Sequence, residues 1–174
     1  MTDADRQIVL AVRSLDGALE RLTAMLRRVE HWPDERLKAL LSSRLAPDMF
    51  DFAQQVRIAV NFTLRIALPL AGRPIPEAPA AHDDLADLYH RIDLARAALD
   101  LPDEVFVGAA GRRLPERAGF AELDLPAPDF LIRFGLPNFW FHLTSSYALL
   151  RAAGAPVGKA DIDGLHDYPP GFSF

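Results

Sequence analysis

Seven apolar residues near the start of the chain, Ile8, Val12, Leu15, Leu19, Leu22, Leu26 and Val29, are separated by alternating steps of four and three. On an α-helix that spacing gathers them into one stripe. A stripe this long holds its helix in water only when other helices cover it. The chain must therefore fold helix against helix. Thr2 with Asp3 and Asp5 suits the start of this first helix, and Arg27 and Arg28 suit the negative end of its dipole. Trp32–Pro33 ends it, and Glu35 to Arg44 adds a short helix.

A second long helix is expected from Pro47 to about Leu70. Met49, Val56, Thr63 and Leu70 stand seven apart, and Phe52, Ile58, Phe62, Leu64, Ile66 and Leu68 fill other faces. Such a helix is buried on more than one side. Gly72 stops it, and RPIPEAP follows as an extended surface connection. A third helix starts near His82 or Asp83 and carries Leu85, Leu88, Ile92, Ala95 and Leu99, with Pro102 closing it. Its charges (Asp83, Asp84, Asp87, Arg91, Asp93, Arg96) read as a solvated face. Residues 103–126 break the helical rhythm. VFVG and FAELDL alternate apolar and polar residues around AAGRRLPERAG, which reads as an irregular β-hairpin or paired extended segments. A short helical piece follows at Pro128 to Phe134.

The fourth long helix, Pro137 to Ala153, is apolar on most faces through Phe139, Trp140, Phe141, Leu143, Leu149 and Leu150. Asn138, His142 and Ser146 nevertheless recur every fourth residue and draw one polar line down it. Buried polar groups need partners, so that line faces other side chains, water, a metal or a ligand. The fold class is all-α, a four-helix bundle with a short hairpin or extended insert before the last helix. Residues 1–160 form a single domain and 161–174 a tail, whose Tyr168, Phe172 and Phe174 could dock on the body or on a partner.

The 174 residues carry a net charge of −5 with scattered Lys and Arg, which disfavours nucleic acid as a partner. The Arg112–Arg113 pair reads as a solvated loop. There is no cysteine, hence no disulfide or thiolate chemistry. The N-terminus has no signal-peptide pattern. No run approaches the roughly 20 apolar residues of a membrane span. A cytoplasmic protein is the expectation. There is no P-loop, GxGxxG, HExxH or CxxC.

Three segments, RLAPDMFDFAQQVRIAV (Arg44–Val60), PLAGRPIP (Pro69–Pro76) and LPNFWFHLTSSYALLRAAGAPVGKAD (Leu136–Asp161), resemble the bacterial family called domain of unknown function 1993. The resemblance runs from the first helix to GKAD, and HDYPPGFSF lies beyond it. More remotely the chain is similar to the DinB/YfiT-like four-helix bundles. That resemblance implies the fold, a homodimer built partly on the first or fourth helix, and a metal held by three histidines, one on the second helix and two on the fourth, four residues apart. His142 fits the first of the fourth-helix pair, but Ser146 stands where the second belongs. The second helix reads Asn61–Phe62 where an imidazole is expected. One ligand of three is left, and a zinc or nickel site wants three or four. Phe62 is expected to fill the volume of the missing imidazole.

The residues remaining for a ligand pocket are His142, Asn138, Ser146 and Tyr147 on the fourth helix, with Gln55, Asp48 and Phe62 on the second. His142 reads as a core histidine bonded to Asn138 or Gln55, as part of a small-ligand pocket, or as a metal ligand supplemented by Asp48, Asp51 or Gln55. Burial should lower its pKa unless Asp48 stands close. Asp48 and Asp51 fit the first turn of the second helix, where carboxylates favour the dipole. Ser145 and Tyr147 flank the histidine, yet a catalytic triad also needs an orienting acid and an oxyanion hole. Small residues easing helix packing explain Ser145 as well. His31, His82, His90 and His166 read as surface residues. The sequence thus supports a non-catalytic or small-ligand-binding bundle with a degenerate metal site and no cofactor. Its alternative is a metal-dependent transferase or hydrolase acting on a small thiol or amide compound.

Overall fold

A computed structural model of the chain describes residues 1–169. Its elements are α1 (Asp3–Arg27), α2 (Asp34–Leu41), α3 (Phe52–Leu70), α4 (Leu85–Leu99), the strands β1 (Arg113–Ala118) and β2 (Ala121–Pro126), then α5 (Ala127–Asp129), a π-helical segment (Phe130–Gly135), α6 (Leu136–Ala152) and α7 (Ala160–Asp163). The protein is mainly helical with one small antiparallel hairpin. Helix α3 is central and packs on α6, α4 and α1.

All seven stripe residues, six on α1 and Val29 just past its end, are buried, none more than 3% exposed. Thr2 and Asp5 close a reciprocal capping box at its start. Asp5 does more than cap. Its carboxylate also accepts from the Ala110 amide at 3.0 Å, tying the start of α1 to the turn before the hairpin. That backbone donor, followed by Thr2, holds the carboxyl far below the usual carboxylate range.

Helix α3 begins at Phe52 rather than Pro47. The Asp51 side chain accepts from the Gln54 amide and caps the helix there. A capping carboxylate three residues before a free amide outcompetes Pro47, which can only open a helix, not cap one. Asp48 therefore lies on the preceding turn and is exposed. Gly72 and Gly154 follow their helices in the left-handed conformation, as the stop positions require. Arg112 donates to the Leu70 carbonyl at the end of α3 and is half-buried rather than solvated.

The hairpin uses a different first strand from the one expected. RLPERA pairs with AELDLP, with Arg113 opposite Pro126 and Ala118 opposite Ala121. VFVG instead lies in and just after a 3₁₀ turn (Asp103–Phe106) that buries Phe106. The expected short helical piece is present, but most of it is π-helical. The final segment is anchored through α7, which packs on α1, and Arg21 Nε donates to the Ile162 carbonyl at 2.7 Å. Tyr168 stacks on His166. Phe172 and Phe174 lie outside the described residues.

Candidate functional site

The site is set by how closely α6 approaches α3. Gly135 ends the π segment, and a Cβ built there would stand 2.7 Å from Cγ1 of Ile66 on α3. A side chain at Gly135 would hold the two helices apart. The π segment also places Phe134 edge-on to Phe62, with centroids 5.8 Å apart. Single π turns often mark functional positions because they re-aim the residues around them.

His142 on α6 is buried, at 8% exposure. Its Nδ1 lies 2.7 Å from Oε1 of Gln55 on α3. The Gln55 amide nitrogen donates to the Phe50 carbonyl at 3.3 Å, which turns Oε1 toward the imidazole. Nδ1–H is thus the donor, and Nε2 of the neutral ring carries the free lone pair. Among the described residues Nε2 has no hydrogen-bond partner, while every fully buried side-chain nitrogen and oxygen has one. Nε2 therefore reaches the surface. Burial alone lowers the imidazole pKa, as expected; Asp48 is not among its contacts.

Three phenyl rings surround the imidazole. Phe62 lies face to face with it, centroids 5.9 Å apart and planes 18° apart. Phe141 stands edge-on at 5.1 Å and Phe50 tilts over it at 6.5 Å. Phe50 and Phe141 are 52% and 55% exposed and form an aromatic rim. The Arg65 guanidinium covers Phe62 at 4.5 Å and is held by Glu116 of β1 at 2.7 Å. The hairpin thereby braces the wall of the site.

The other residues of the polar line bond within their own helical run. Asn138 donates to the Phe134 carbonyl at 2.7 Å, and the fully buried Ser146 hydroxyl donates to the His142 carbonyl at 2.9 Å. Of the two partners open to His142, Gln55 is the one used. Tyr147 is half-buried against the core and Ser145 is buried. Asp48 is not brought to the site. His31, His82, His90 and His166 are all exposed. Phe50, Phe134 and Arg65 belong to the site's walls although no pattern in the sequence singles them out.

The three-histidine metal set does not fit this chain. A phenyl ring faces His142 from α3, and the residue four positions on is a serine whose hydroxyl is already donated. Among the described residues no three His, Cys, Asp or Glu side chains converge on a point that could hold a metal ion.

The charged face of α4 is only partly solvated. Asp87 is buried between Arg57 of α3 at 3.1 Å and Arg91 at 2.9 Å. Asp84 is the N-cap of α4 and accepts from the Asp87 amide. The signal was present in the i, i+4 spacing of Asp87 and Arg91.

No helix among the described residues is long and apolar enough to cross a membrane. A solved structure of a DinB family member protein from Shewanella denitrificans superposes with a TM-score of 0.83 at 28% sequence identity, covering 95% of this chain and 96% of that one. No curated protein matches as a relative. The pattern of the family described as Domain of unknown function (DUF1993) matches residues 9–163, from α1 through α7 apart from the first six residues of α1, and the chain belongs to that family.

Proposed function

We propose that this protein is a non-catalytic, small-ligand-binding DinB-like four-helix bundle in which the superfamily's metal position has decayed. The observation that carries the reading is the Phe62 ring stacked on His142 from α3, where the DinB/YfiT-like resemblance implies an imidazole. That ring lies over the face of the imidazole and offers no metal-ligating atom from α3. What is left is one neutral imidazole, fixed by Gln55, presenting Nε2 inside an aromatic rim. Such a group accepts a hydrogen bond from a small molecule whose body rests on Phe50 and Phe141. We further propose that the chain works in the cytoplasm as a homodimer, with Leu10 of α1 or Phe141 of α6, both more than half exposed, in the interface.

The free Nε2 also favours a second reading, in which it is the single protein nitrogen of a metal-dependent transferase or hydrolase. Elemental analysis of untagged protein separates the two. The first reading expects far less than one transition metal per chain; a stoichiometric metal that disappears in His142→Ala establishes the second. Light scattering at micromolar concentration tests the dimer, and a monomer mass removes it.

A further inference from the structure

A second site lies across α3 from His142, between α3, α4 and the Pro-rich connection that precedes α4. The cavity has a volume of about 180 Å³. Cavities on the order of 150 Å³ accept a benzene-sized molecule. Val60 and Leu64 of α3, Leu94 of α4 and Pro76 supply an apolar wall, and Arg57 and Arg91 border the same space.

The two arginines are unusual in their charge balance. Both side chains are only 10% exposed, and between them stands one buried carboxylate, Asp87, at 3%. The other counter-charge, Asp83 on Arg57, is 86% exposed, so water weakens it. Arg57 uses Nε and Nη2 on Asp87, Asp83 and the His82 carbonyl. Arg91 uses Nε and Nη2 on Asp87 and the Pro79 and Ala80 carbonyls. Among the described residues, Nη1 of neither arginine meets an acceptor. Two guanidinium groups thus share one buried negative charge, and each keeps an Nη1 that is open to solvent and without a protein acceptor among the described residues, on a side chain that lines the cavity. A guanidinium remains charged when buried and wants its remaining donors filled.

We propose that this cavity binds a small apolar carboxylate, its acid group on the two Nη1 atoms and its hydrocarbon on Val60, Leu64 and Leu94. Exposed Glu77 on the rim opposes an anion and limits its affinity. The site does not depend on His142.

The test is calorimetric titration of the full-length protein with benzoate, its neutral isostere benzamide and inorganic phosphate. Benzoate is expected to saturate one site per chain at low millimolar concentration. Benzamide should bind about tenfold more weakly or worse, since it gives up charge-assisted hydrogen bonds. Phosphate, lacking the hydrocarbon, should bind more weakly than benzoate. Leu94→Trp changes a residue already 47% exposed, so the fold tolerates it, and it should fill the cavity and abolish binding. Glu77→Gln should tighten benzoate a few-fold, and His142→Ala should leave it unchanged. Benzoate that does not saturate, benzamide or phosphate that matches it, or a Leu94→Trp variant that binds as well as the parent each overturns the assignment.

Discussion

The Phe62 ring and the His142 imidazole lie nearly parallel, 5.9 Å between centroids, joining α3 to α6, the two helices on which the DinB/YfiT-like resemblance implies metal ligands. The contact makes a constructive test possible. Phe62→His together with Ser146→His restores three imidazoles, and three on facing helices suffice for a tight site when the geometry is right. The double variant is expected to bind zinc or nickel where the parent does not. Ser146 is fully buried, so the larger ring there should cost about 1–3 kcal/mol of stability in the absence of metal. Calorimetric titration decides it: equal, weak binding by both proteins would sever the link to the superfamily site.

Burial lowers the His142 pKa below its ordinary 6.5. Folding therefore favours the neutral ring. The unfolded chain takes up its proton first as the pH falls, so the stabilisation is complete above about 6.5 and is lost below it, until the folded imidazole also protonates. Thermal unfolding should show the parent losing more stability than His142→Gln between neutral and mildly acidic pH. Parallel curves would mean that the imidazole is hydrated in the folded state.

Gln55 fixes the tautomer through a neutral acceptor 2.7 Å from Nδ1. Gln55→Glu puts a carboxylate in the same place and should reverse the direction of the shift, because an adjacent negative charge favours imidazolium. The His142 contribution to stability would then be present at low pH and lost as the pH rises through the raised pKa. A proton NMR titration of the assigned His142 ring reads this directly. A pKa unchanged by the substitution would show that the Gln55 contact is not kept in solution. Gln55→Leu removes the acceptor altogether and should destabilise the fold by about 1–3 kcal/mol.

The helices and the polar line could be read from the sequence because both are periodic. The α1 stripe is buried at every position, and His142 and Ser146 are buried as a polar line on an apolar helix must be. What could not be read was decided by competition between local signals. Asp51 takes the cap and leaves Asp48 outside the helix, so the carboxylate that could have stood beside His142 is not among its contacts. VFVG alternates like a strand, but its Phe106 is drawn into the core by a 3₁₀ turn, and the hairpin forms from RLPERA, whose pattern is polar. Asp87 and Arg91 look like an exposed pair in isolation and become buried because Arg57 comes to them from another helix. Phe50 and Phe141 sit on different elements, and only the fold brings their rings to one imidazole.

The π segment has no sequence signature, yet the site depends on it through Gly135. A Cβ there would lie 2.7 Å from Cγ1 and 3.1 Å from Cδ1 of Ile66, which is itself fully buried. Neither helix can yield without moving Phe62 or His142. Gly135→Ala is therefore expected to cost about 1–3 kcal/mol as an overpacking defect, although alanine is the better helix former. Ile66→Val deletes the outer methyl group and should cost about 0.5–1.5 kcal/mol alone. Combined, the two should cost less than their sum, because the second change relieves part of the clash made by the first. Denaturant unfolding of the four proteins closes the cycle. Strict additivity would show that the close approach of α6 to α3 is not set at these two residues, and the account of how His142 meets Gln55 and Phe62 would need another cause.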